Sequence, residues 1–573
     1  MDKLVTPIAP AGASRKRKRQ APRGRMVLPE AVAEVEALIG SAPYRHDLLI
    51  QYLHCINDRF GQLAAPHLAA LAKLLGLAQT EVYEVATFYH HFDVVKEGPG
   101  GTIEAPAALT VRVCDGLSCE MAGAKRLLER LPDLLGPDVR VIPAPCVGRC
   151  EQAPVAVVHQ RPVGRATEES VQAEVSAGHT RDEPGDYIDY DAYRARGGYA
   201  LLLECMEHRR ELESVLKTME DSGLRGLGGA GFPTGRKWRI VRAEPAPRLM
   251  AVNIDEGEPG TFKDRWFLER DPHRFLEGML IGAWAVGIAA IYIYLRDEYH
   301  GCRAILEAEL AKLQAQPPIA ELPTIELRRG AGAYICGEES AMIESIEGKR
   351  GMPRLRPPYV AQVGLFGRPT LEHNFETLYW VRELLEKGAA WFASQGRHDR
   401  KGLRSFSVSG RVREPGVKLA PAGITARELI EEYCGGMQQG HTFYGYLPGG
   451  ASGGILPASM GDVPLDFDTL QPYGCFIGSA AVIVLSAQDT AKAAARNMMR
   501  FFEHESCGQC TPCRVGTAKA NMLIAKEDWD QPLLAELSQV MRDASICGLG
   551  QAAPNPIDCV IKYFPHELTR GRE

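Results

Sequence analysis

The spacing of apolar and polar positions divides the chain into stretches of different period. From Pro29 to Phe92 the apolar residues recur three and four positions apart, as in Leu68–Leu77, and this spacing predicts helices. The pattern then shortens to β-branched runs, which predict strands around one helix. These strands are predicted at 108–113, 139–142 and 155–158, and the helix at 122–134. The first third of the chain should therefore contain helices followed by a small α/β domain.

The rest of the chain alternates in the same way. An amphipathic helix is predicted at Glu211–Asp221, short strands at 404–409 and 443–447, and helices from Thr490 onward. One apolar run, Gly278–Leu295, is long enough to raise the question of a membrane span. Its second half, Ile291–Leu295, is β-branched and aromatic, so a helix followed by a buried strand is favoured over a membrane helix.

Length and composition fit a soluble protein of several domains. The 573 residues are enough for about three to four domains. A net charge of −6 argues against nucleic-acid binding by the whole chain. Basic residues are concentrated in the first 25 positions, which predicts a disordered tail. Docking onto an acidic partner and a solvated tail without a fixed contact are both open for this segment.

A glycine-rich stretch, Gly223–Trp238, is the most unusual feature of the sequence. Glycine at this density disfavours helix and strand interiors and lets backbone N–H groups approach a ligand closely. Gly226, Gly228 and Gly231 match G-x-G-x-x-G, but a dinucleotide site of the Rossmann type requires a strand just before the motif. A helix is predicted there, so we reject the Rossmann interpretation.

Two further stretches complete a pattern. One is the acidic segment Val252–Asp264, and the other is Gly330–Ala341, which is followed by Ile346–Arg350. Together with Gly223–Trp238 they strongly resemble the flavin-binding, NADH-oxidising subunit of respiratory complex I and its relatives. These relatives include NAD-linked hydrogenases and NAD-linked molybdenum or tungsten formate dehydrogenases. A glycine-rich surface loop without a ligand is the alternative.

The resemblance implies a site for FMN and NAD. Residues that would contact FMN are Gly226, Gly228, Lys237, Asn253, Asp255, Gly337, Glu338 and Asn374. Residues that would line the NAD pocket are Phe232, Glu256, Glu258, Glu339 and Tyr359. Carboxylates there would repel a 2′-phosphate, so NAD is expected rather than NADP. Hydride transfer requires no general acid or base, and no catalytic residue is assigned. Leu227, His373, Arg356 and Tyr359 depart from the usual family residues.

Eight of the 15 cysteines fall into two sets of four. Cys114, Cys119, Cys146 and Cys150 follow two predicted strands in pairs, which suits one metal centre. Zinc is the alternative, although paired zinc ligands usually form closer knuckles. The span 29–175 resembles the thioredoxin-like [2Fe–2S] subunit of the same family, so a [2Fe–2S] cluster is expected.

The second set lies near the C-terminus. Cys507, Cys510 and Cys513 form a tight turn and Cys547 lies far along the chain, which suits a [4Fe–4S] cluster. A zinc ribbon would require a second paired knuckle, and none follows. The remaining cysteines, which include Cys475 and Cys559, are interpreted as isolated packing residues.

The resulting fold class is multidomain α/β, with a thioredoxin-like [2Fe–2S] domain, an α/β FMN-binding domain, a small β-grasp-like domain and a C-terminal helical [4Fe–4S] domain. The predicted segments are a basic tail at 1–28, the helical and thioredoxin-like part at 29–178, a linker at 179–200, the FMN/NAD domain at 201–402, the β-grasp-like domain at 403–485 and the cluster domain at 486–573.

The resemblance is greatest to the β subunit of NAD-linked formate dehydrogenases, because of Leu227 and the fused [2Fe–2S] domain. It implies a cytoplasmic complex without nucleic acid or membrane. A partner α subunit would hold molybdopterin-bound tungsten or molybdenum and further iron–sulfur clusters. Two alternatives stay open. One is a diaphorase subunit of an NAD-reducing hydrogenase or of complex I. The other is an electron-transfer scaffold with a degenerate flavin pocket.

Overall fold

The computed structural model describes residues 24–568. Most of the basic tail predicted at 1–28 therefore lies outside the described residues. Within 24–568, no helix combines the length and the apolar composition that crossing a membrane requires.

Four helices open the described part of the chain, as the apolar spacing predicts. They are α1 (Pro29–Ile39), α2 (Leu49–Phe60), α3 (Ala65–Leu75) and α4 (Gln79–Phe88). Two short strands, β1 (Leu63–Ala64) and β2 (Val94–Val95), pair in parallel beside them. Leu53, Leu71 and Val82 are buried between the helices, so their apolar faces form one core.

The thioredoxin-like domain follows, with a four-stranded mixed sheet in the order β4-β3-β5-β6. Its elements are β3 (Leu109–Cys114), α5 (Leu117–Met121), α6 (Ala124–Leu135), β4 (Val139–Ala144), β5 (Val155–Val158), β6 (Arg161–Gly164) and α7 (Glu168–Ser176). Strand β3 runs parallel to β4 and antiparallel to β5. The predicted helix at 122–134 begins two residues later, after the short helix α5.

The domain expected to bind FMN, called the flavin domain below, is built on a parallel four-stranded sheet in the order β10-β7-β8-β9. The strands are β7 (Arg248–Ile254), β8 (Ile288–Leu295), β9 (Thr324–Arg329) and β10 (Thr370–Asn374). The helices are α8 (Tyr190–Ala195), α9 (Ala200–Met206), α10 (Leu212–Asp221), α11 (Thr234–Ala243), α12 (Lys263–Leu268), α13 (Pro272–Val286), α14 (His300–Ala315), α15 (Glu339–Ile346), α16 (Phe375–Tyr379), α17 (Val381–Lys387) and α18 (Ala389–Ala393).

Two predictions about this domain can be compared directly with the structure. The apolar run Gly278–Leu295 is the end of α13 followed by the buried strand β8, as the change of pattern predicts. The glycine-rich stretch follows helix α10 and continues into the first turn of α11, and no strand precedes it, which agrees with the rejection of a Rossmann site.

The stretch predicted as a linker, 179–200, is more ordered than its composition suggests. It contains α8, and Tyr190, Tyr193 and Tyr199 are buried around His273 of α13. The Tyr193 hydroxyl donates to Glu277 at 2.6 Å. The polar composition of this stretch does not indicate that three of its aromatic side chains pack into the flavin domain. Only its first half therefore connects the thioredoxin-like domain with the flavin domain.

The next domain has a five-stranded mixed sheet in the order β12-β11-β15-β13-β14. Its elements are β11 (Leu403–Gly410), β12 (Gly416–Pro421), α19 (Ala426–Glu428), β13 (Phe443–Leu447), β14 (Leu456–Pro457) and β15 (Ala481–Ser486). The first and last strands of the domain run parallel at its centre, with an antiparallel strand on each side. This is the β-grasp-like arrangement expected for 403–485.

The chain ends in a helical domain. Its helices are α20 (Ala491–Glu505), α21 (Thr511–Ile524), α22 (Gln531–Ala544), α23 (Gly548–Ala552) and α24 (Asn555–Tyr563). Cys559 of α24 is in contact with Cys475 of the β-grasp-like domain, with 3.5 Å between the two sulfur atoms. These two cysteines were interpreted as isolated, and the structure corrects this because residues 84 positions apart meet at the domain boundary.

Candidate functional site

A large cavity of about 520 Å³ lies at the carboxyl ends of the parallel strands β7, β9 and β10. Open parallel sheets bind ligands at this edge, because the loops leaving the strands converge there. Loops from the β-grasp-like domain and from the cluster domain close the other sides. Three domains therefore build one cavity.

The structure brings twelve of the thirteen predicted flavin and NAD residues to this cavity. They are Gly226, Gly228, Phe232, Lys237, Asn253, Asp255, Glu256, Glu258, Gly337, Glu338, Glu339 and Asn374. Tyr359 is the exception and is absent from the lining. It begins a surface turn closed by the bond from the Val363 nitrogen to its carbonyl, and its side chain is 56% exposed.

The glycine-rich stretch approaches the cavity as closely as its composition suggests. A Cβ atom on Gly228 would lie 3.0 Å from the Cβ of Asn374. Gly231 has a φ of +65° and lies against the ring of Phe467, which a Cβ would meet at 2.6 Å. Gly231 therefore requires glycine for space and for backbone conformation, and a side chain at Gly228 would press against Asn374. The backbone of the stretch is left open toward the cavity.

Two asparagines fix the loops around this backbone. The side-chain amide of Asn253 donates to the Gly337 carbonyl at 2.8 Å. That of Asn374 donates to Asp264 at 2.7 Å, while its carbonyl oxygen accepts from the Glu376 nitrogen at the start of α16. These bonds hold the ends of β7 and β10 to the neighbouring loops. A planar ligand in the cavity would therefore meet preformed walls.

Asp255 offers a direct test of whether a polar ligand fits. Its Oδ2 atom is buried and has no hydrogen-bond partner among the described residues, although the residue lines the cavity. Burial raises the pKa of its carboxyl group well above the ordinary range. Buried polar atoms are normally satisfied, so this oxygen fits a ligand that supplies a donor, such as the polar edge or ribityl hydroxyls of a flavin mononucleotide.

Two of the three acidic residues predicted at the NAD pocket, Glu256 and Glu258, differ in what their carboxylates contact. Glu256 accepts from the Asp264 and Arg265 nitrogens at the start of α12 and from the Tyr299 hydroxyl at 2.8 Å. Burial, together with the nearby charge of Asp264, raises the pKa of Glu256 to about 7. Glu256 thus binds groups of the cavity wall, whereas Glu258 accepts from Ser452 of the β-grasp-like domain and from Tyr334.

Several lining residues were missed from the sequence. Lys263 is buried and forms ion pairs with Asp264 at 2.6 Å and with Glu376 at 3.1 Å. Ser452 comes from the glycine-rich loop at 449–454, about 190 positions away from Glu258, to which it donates. Lys263 could have been identified from its place in the acidic segment. Ser452 could not, because a contact between two domains leaves no local pattern.

The first cysteine set meets at the boundary between the thioredoxin-like and flavin domains. The thiol of Cys114 contacts those of Cys119 and Cys146, and the Cys146 and Cys150 sulfurs lie 3.3 Å apart. Phe262 packs on Cys146 and Cys150. The four thiols therefore form one buried group, as their spacing predicts.

Arginines of the flavin domain hold the loop that bears Cys146 and Cys150. The guanidinium of Arg296 donates to the Cys146 carbonyl at 2.8 Å and also to the Glu256 carbonyl. Arg265 donates to the Gly148 carbonyl at 2.9 Å. One side chain, that of Arg296, thus joins the first cysteine set to the wall of the large cavity.

The second cysteine set encloses a small cavity of its own, lined by Cys507, Cys510, Cys513 and Cys547. Helix α21 begins directly after Cys510, and α23 begins directly after Cys547. The positive ends of helix dipoles favour negative charge, so these two helix starts suit thiolates and an anionic cluster. The four cysteines are partly or fully buried.

The spacing of the thiols can be compared with that around a single metal ion. Four thiolates around one zinc ion at 2.3 Å would lie about 3.8 Å from one another. In the described part of the chain, no three cysteines bring their sulfur atoms within 4.8 Å of each other. Each set supplies four thiols, and four thiolates are the donors of iron–sulfur clusters, in which different irons are bound by different thiolates.

Cys547 connects the two cavities. It lines both the large cavity and the small one between the cysteines, as do Ile546 and Leu549. A group in the large cavity would be separated from the second cysteine set by one layer of side chains. This arrangement defines a class of protein in which a ligand bound in a cavity exchanges electrons with a metal cluster.

Comparison with known proteins identifies the family within this class. The model of the Nuo51 FMN-binding domain matches residues 219–383, and that of the thioredoxin-like [2Fe-2S] ferredoxin matches residues 35–178. The NADH-ubiquinone oxidoreductase-F iron-sulfur binding region matches residues 493–571. The chain is an oxidoreductase with FMN, one [2Fe–2S] and one [4Fe–4S] cluster as its cofactors.

Individual relatives support the same family. A subunit of the NADH-quinone oxidoreductase of Rhizobium meliloti (strain 1021) is 40% identical over 403 residues, which cover 68% of this chain and 95% of that protein. Mitochondrial NADH dehydrogenase [ubiquinone] flavoprotein 1 of Dictyostelium discoideum is 42% identical over 67% of this chain and 84% of that protein. This chain belongs to the family of these flavoprotein subunits.

A solved structure covers the N-terminal part as well. The crystal structure of an NAD+-reducing [NiFe]-hydrogenase in the air-oxidized state includes a chain that is 33% identical to this one. The match has a TM-score of 0.79 and covers 91% of this chain and 93% of that one. The expected order of domains, with the thioredoxin-like part fused ahead of the flavin part, is thus found in another protein.

Proposed function

We propose that this chain is the NADH–FMN diaphorase subunit of a formate dehydrogenase complex. Electrons from a partner's pterin–metal centre pass through iron–sulfur clusters to FMN and leave as hydride to NAD+, and the reaction is reversible. Bound FMN exchanges hydride with nicotinamide and single electrons with the clusters. The protein's own residues bind and orient the flavin and the nucleotide.

The observation that supports this role most directly is the position of Cys547, which lines both the large cavity and the cluster cavity. An electron-transfer subunit requires short separations between its centres. The orphaned Asp255 oxygen and the close approach of Gly228 to Asn374 fit FMN in the large cavity. We assign the [2Fe–2S] cluster to Cys114, Cys119, Cys146 and Cys150, and the [4Fe–4S] cluster to Cys507, Cys510, Cys513 and Cys547.

The charge of the large cavity supports NAD over NADP. Seven carboxylate residues and four cationic residues line it. Among the cations, Arg356 is paired with Glu339 at 2.7 Å, and Lys237 with Glu372 at 3.3 Å. An additional 2′-phosphate would enter a site with an excess of negative charge. Glu258 and Glu339 are the carboxylates we assign to the nucleotide.

The surface beside the second cysteine set supports a protein partner. Val515 and Met522 on α21 and Leu533 and Val540 on α22 are all exposed, and each pair is spaced seven residues apart. Helices α21 and α22 pack against each other and α21 begins directly after Cys510, so we treat these four side chains as one exposed apolar strip. Exposed apolar patches commonly mark binding sites. We assign the strip to an iron–sulfur protein partner that takes electrons to or from this cluster.

The identity of the metal centre in that partner is the most specific part of the proposal. Leu227, by resemblance to formate dehydrogenase β subunits, supports a molybdenum or tungsten enzyme. The hydrogenase structure supports the second candidate, a diaphorase subunit of an NAD-reducing hydrogenase, because it shares the fused domain order over 91% of this chain. Eight of the 15 cysteines are assigned to clusters, and cysteines used in this way support a reducing, cytoplasmic location.

Purification of the native complex through a tag on this chain tests the proposal. We expect molybdenum or tungsten in the co-purifying subunit and formate-dependent reduction of NAD+, whereas the isolated chain should oxidise NADH with ferricyanide and not act on formate. Nickel with hydrogen-dependent NAD+ reduction would select the hydrogenase candidate. An isolated chain that binds FMN without oxidising NADH would exclude both.

A further inference from the structure

A second cavity of about 250 Å³ lies behind the glycine-rich stretch, between the flavin domain and the β-grasp-like domain. Arg225 and Leu227 line it, whereas Gly226 and Gly228 line the large cavity. Alternate residues of one loop therefore face two different cavities. Neither the flavin nor the nucleotide requires the second one.

The wall of this second cavity is rich in cations. Four basic residues line it, Arg225, Arg400, Lys401 and Arg404, against two acidic ones, Asp399 and Asp466. Arg400 and Arg404 share the single carboxylate of Asp466, at 2.8 Å and 2.7 Å. Arg225 pairs with Asp468. The side chain of Lys401 has no ion-pair or hydrogen-bond partner among the described residues.

Arg404 is the most deeply buried of these cations. It is 4% exposed, and its Nε atom has no hydrogen-bond partner among the described residues. Burial lowers the pKa of Arg404, and the charge of Arg225 lowers it further. The guanidinium carbons of Arg404 and Arg225 lie 4.2 Å and 4.5 Å from the centre of the same ring, that of Phe467. Buried charges are usually paired, and here the cations crowd around too few carboxylates.

We propose that this cavity binds a small oxyanion, the phosphate or carboxylate group of a small molecule, beside Lys401 and Arg404. Such a ligand would supply the negative charge that the wall lacks. Charge-assisted hydrogen bonds from guanidinium and ammonium groups to oxyanions are among the stronger ones in proteins. The cavity is large enough for a small metabolite and too small for a dinucleotide.

The position of Phe467 connects this site to the flavin. Its ring lies against Gly231, whose backbone lines the large cavity, and it contacts the two arginines of the second cavity. A ligand that draws Arg225 or Arg404 toward itself acts on the ring that supports the glycine-rich stretch. Binding should therefore make the backbone of residues 225–231 more rigid.

The test uses the full chain loaded with FMN and both clusters, in saturating NAD+ so that the large cavity is occupied. Inorganic phosphate and succinate are titrated separately, with potassium chloride matched for ionic strength, and the unfolding temperature is recorded. We expect a saturable rise in unfolding temperature with one of the two oxyanions. The effective oxyanion shows whether the site binds a phosphate or a carboxylate group. In Lys401→Gln the apparent dissociation constant should be at least tenfold weaker.

Lys401 is exposed, so this substitution should not disturb folding. Lys73→Gln is the matched control, since Lys73 is an exposed lysine at the end of α3, far along the chain. Lys73→Gln should bind the effective oxyanion with the same apparent dissociation constant as the unchanged protein. Hydrogen exchange of residues 225–231 should slow when the effective oxyanion is present. The absence of a saturable rise with either oxyanion, or an equal rise in Lys401→Gln, would overturn the proposal.

Discussion

Ser452 donates two hydrogen bonds to one carboxylate oxygen of Glu258, from its backbone nitrogen at 2.8 Å and from its hydroxyl at 2.6 Å. The Tyr334 hydroxyl donates to the other oxygen. Ser452 belongs to the β-grasp-like domain and Glu258 to the loop after β7, so one carboxylate joins the two domains at the wall of the large cavity. Burial raises the pKa of Glu258, yet three donors favour its ionised form.

Glu258→Lys should weaken NADH binding more than FMN binding. The substitution replaces an acceptor with a donor opposite Ser452 and Tyr334, and the loss of a charged hydrogen bond costs about 1.5–3 kcal/mol, or roughly ten- to a hundredfold in affinity. Titration of NADH against the flavin-loaded variant measures the effect. Glu258→Gln, which keeps the size of the side chain and one acceptor, should lose less NADH affinity. A variant that lost FMN while its remaining holoenzyme bound NADH normally would contradict this role.

Gly228→Ala should impair FMN binding. The added methyl group would lie 3.0 Å from the Cβ of Asn374, which is held by its own hydrogen bonds. Overpacking of this kind costs about 1–3 kcal/mol, so FMN affinity should fall by roughly tenfold or more. Gly185→Ala is the control, because a Cβ at Gly185 meets nothing within 4 Å. Equal flavin content in the two variants would show that the loop has room to spare at Gly228.

The ionisation of Glu256 should reduce stability as pH rises. Its pKa in the folded chain is about 7, above the ordinary value for a glutamate. The folded state therefore binds more protons than the unfolded state between about pH 4.5 and 7, and this contribution is fully present at low pH and lost as pH rises through 7. The loss would be at most roughly 3 kcal/mol.

Comparison with Glu256→Gln isolates this effect, because glutamine does not titrate. The unfolding temperature of the unchanged chain minus that of the variant should decrease between pH 5 and pH 8, with both proteins loaded with FMN. A difference that stays constant over this range would show that Glu256 titrates near its ordinary value.

Much of the site was predictable from sequence because its parts are local. The glycine-rich stretch, the acidic segment and the closely spaced cysteines each indicate their chemistry within a few residues, and twelve predicted residues line one cavity. The strands β8 and β13 were predictable because their apolar patterns are short and β-branched or aromatic. The contacts between domains were not predictable. Ser452 with Glu258, and Cys475 with Cys559, are pairs that only the packing of two domains creates.

Two other outcomes have physical causes that the sequence conceals. The stretch 179–200 has the composition of a linker, but three buried tyrosines fix it against α13. Tyr359 follows the expected order of residues, yet it begins an exposed surface turn and does not line the cavity. In both cases the direction of the side chain decides the outcome, and composition and order do not specify that direction.

The last prediction concerns the path of electrons. Cys510→Ala removes one thiolate from the C-terminal set and should destroy or degrade the [4Fe–4S] cluster. Cys510 is the N-cap residue of helix α21, but its side chain makes no capping hydrogen bond. The helix should therefore still form in the variant. It does not line the large cavity, so FMN and NADH should still bind. NADH–ferricyanide activity should persist, because a small oxidant can take electrons from the flavin directly.

Formate-to-NAD+ activity of the assembled complex should collapse in the same variant, because the cluster beside the apolar strip of α21 and α22 no longer connects the partner with the flavin. Cys119→Ala should have a smaller effect, since the resemblance to complex I implies that the thioredoxin-like cluster lies off the main path. Cys119 also lines neither the large cavity nor the C-terminal cluster cavity. Iron analysis should fall from about six atoms per chain to about two in Cys510→Ala and to about four in Cys119→Ala. Normal formate-to-NAD+ turnover in a Cys510→Ala complex whose [4Fe–4S] EPR signal is absent would show that electrons take another route.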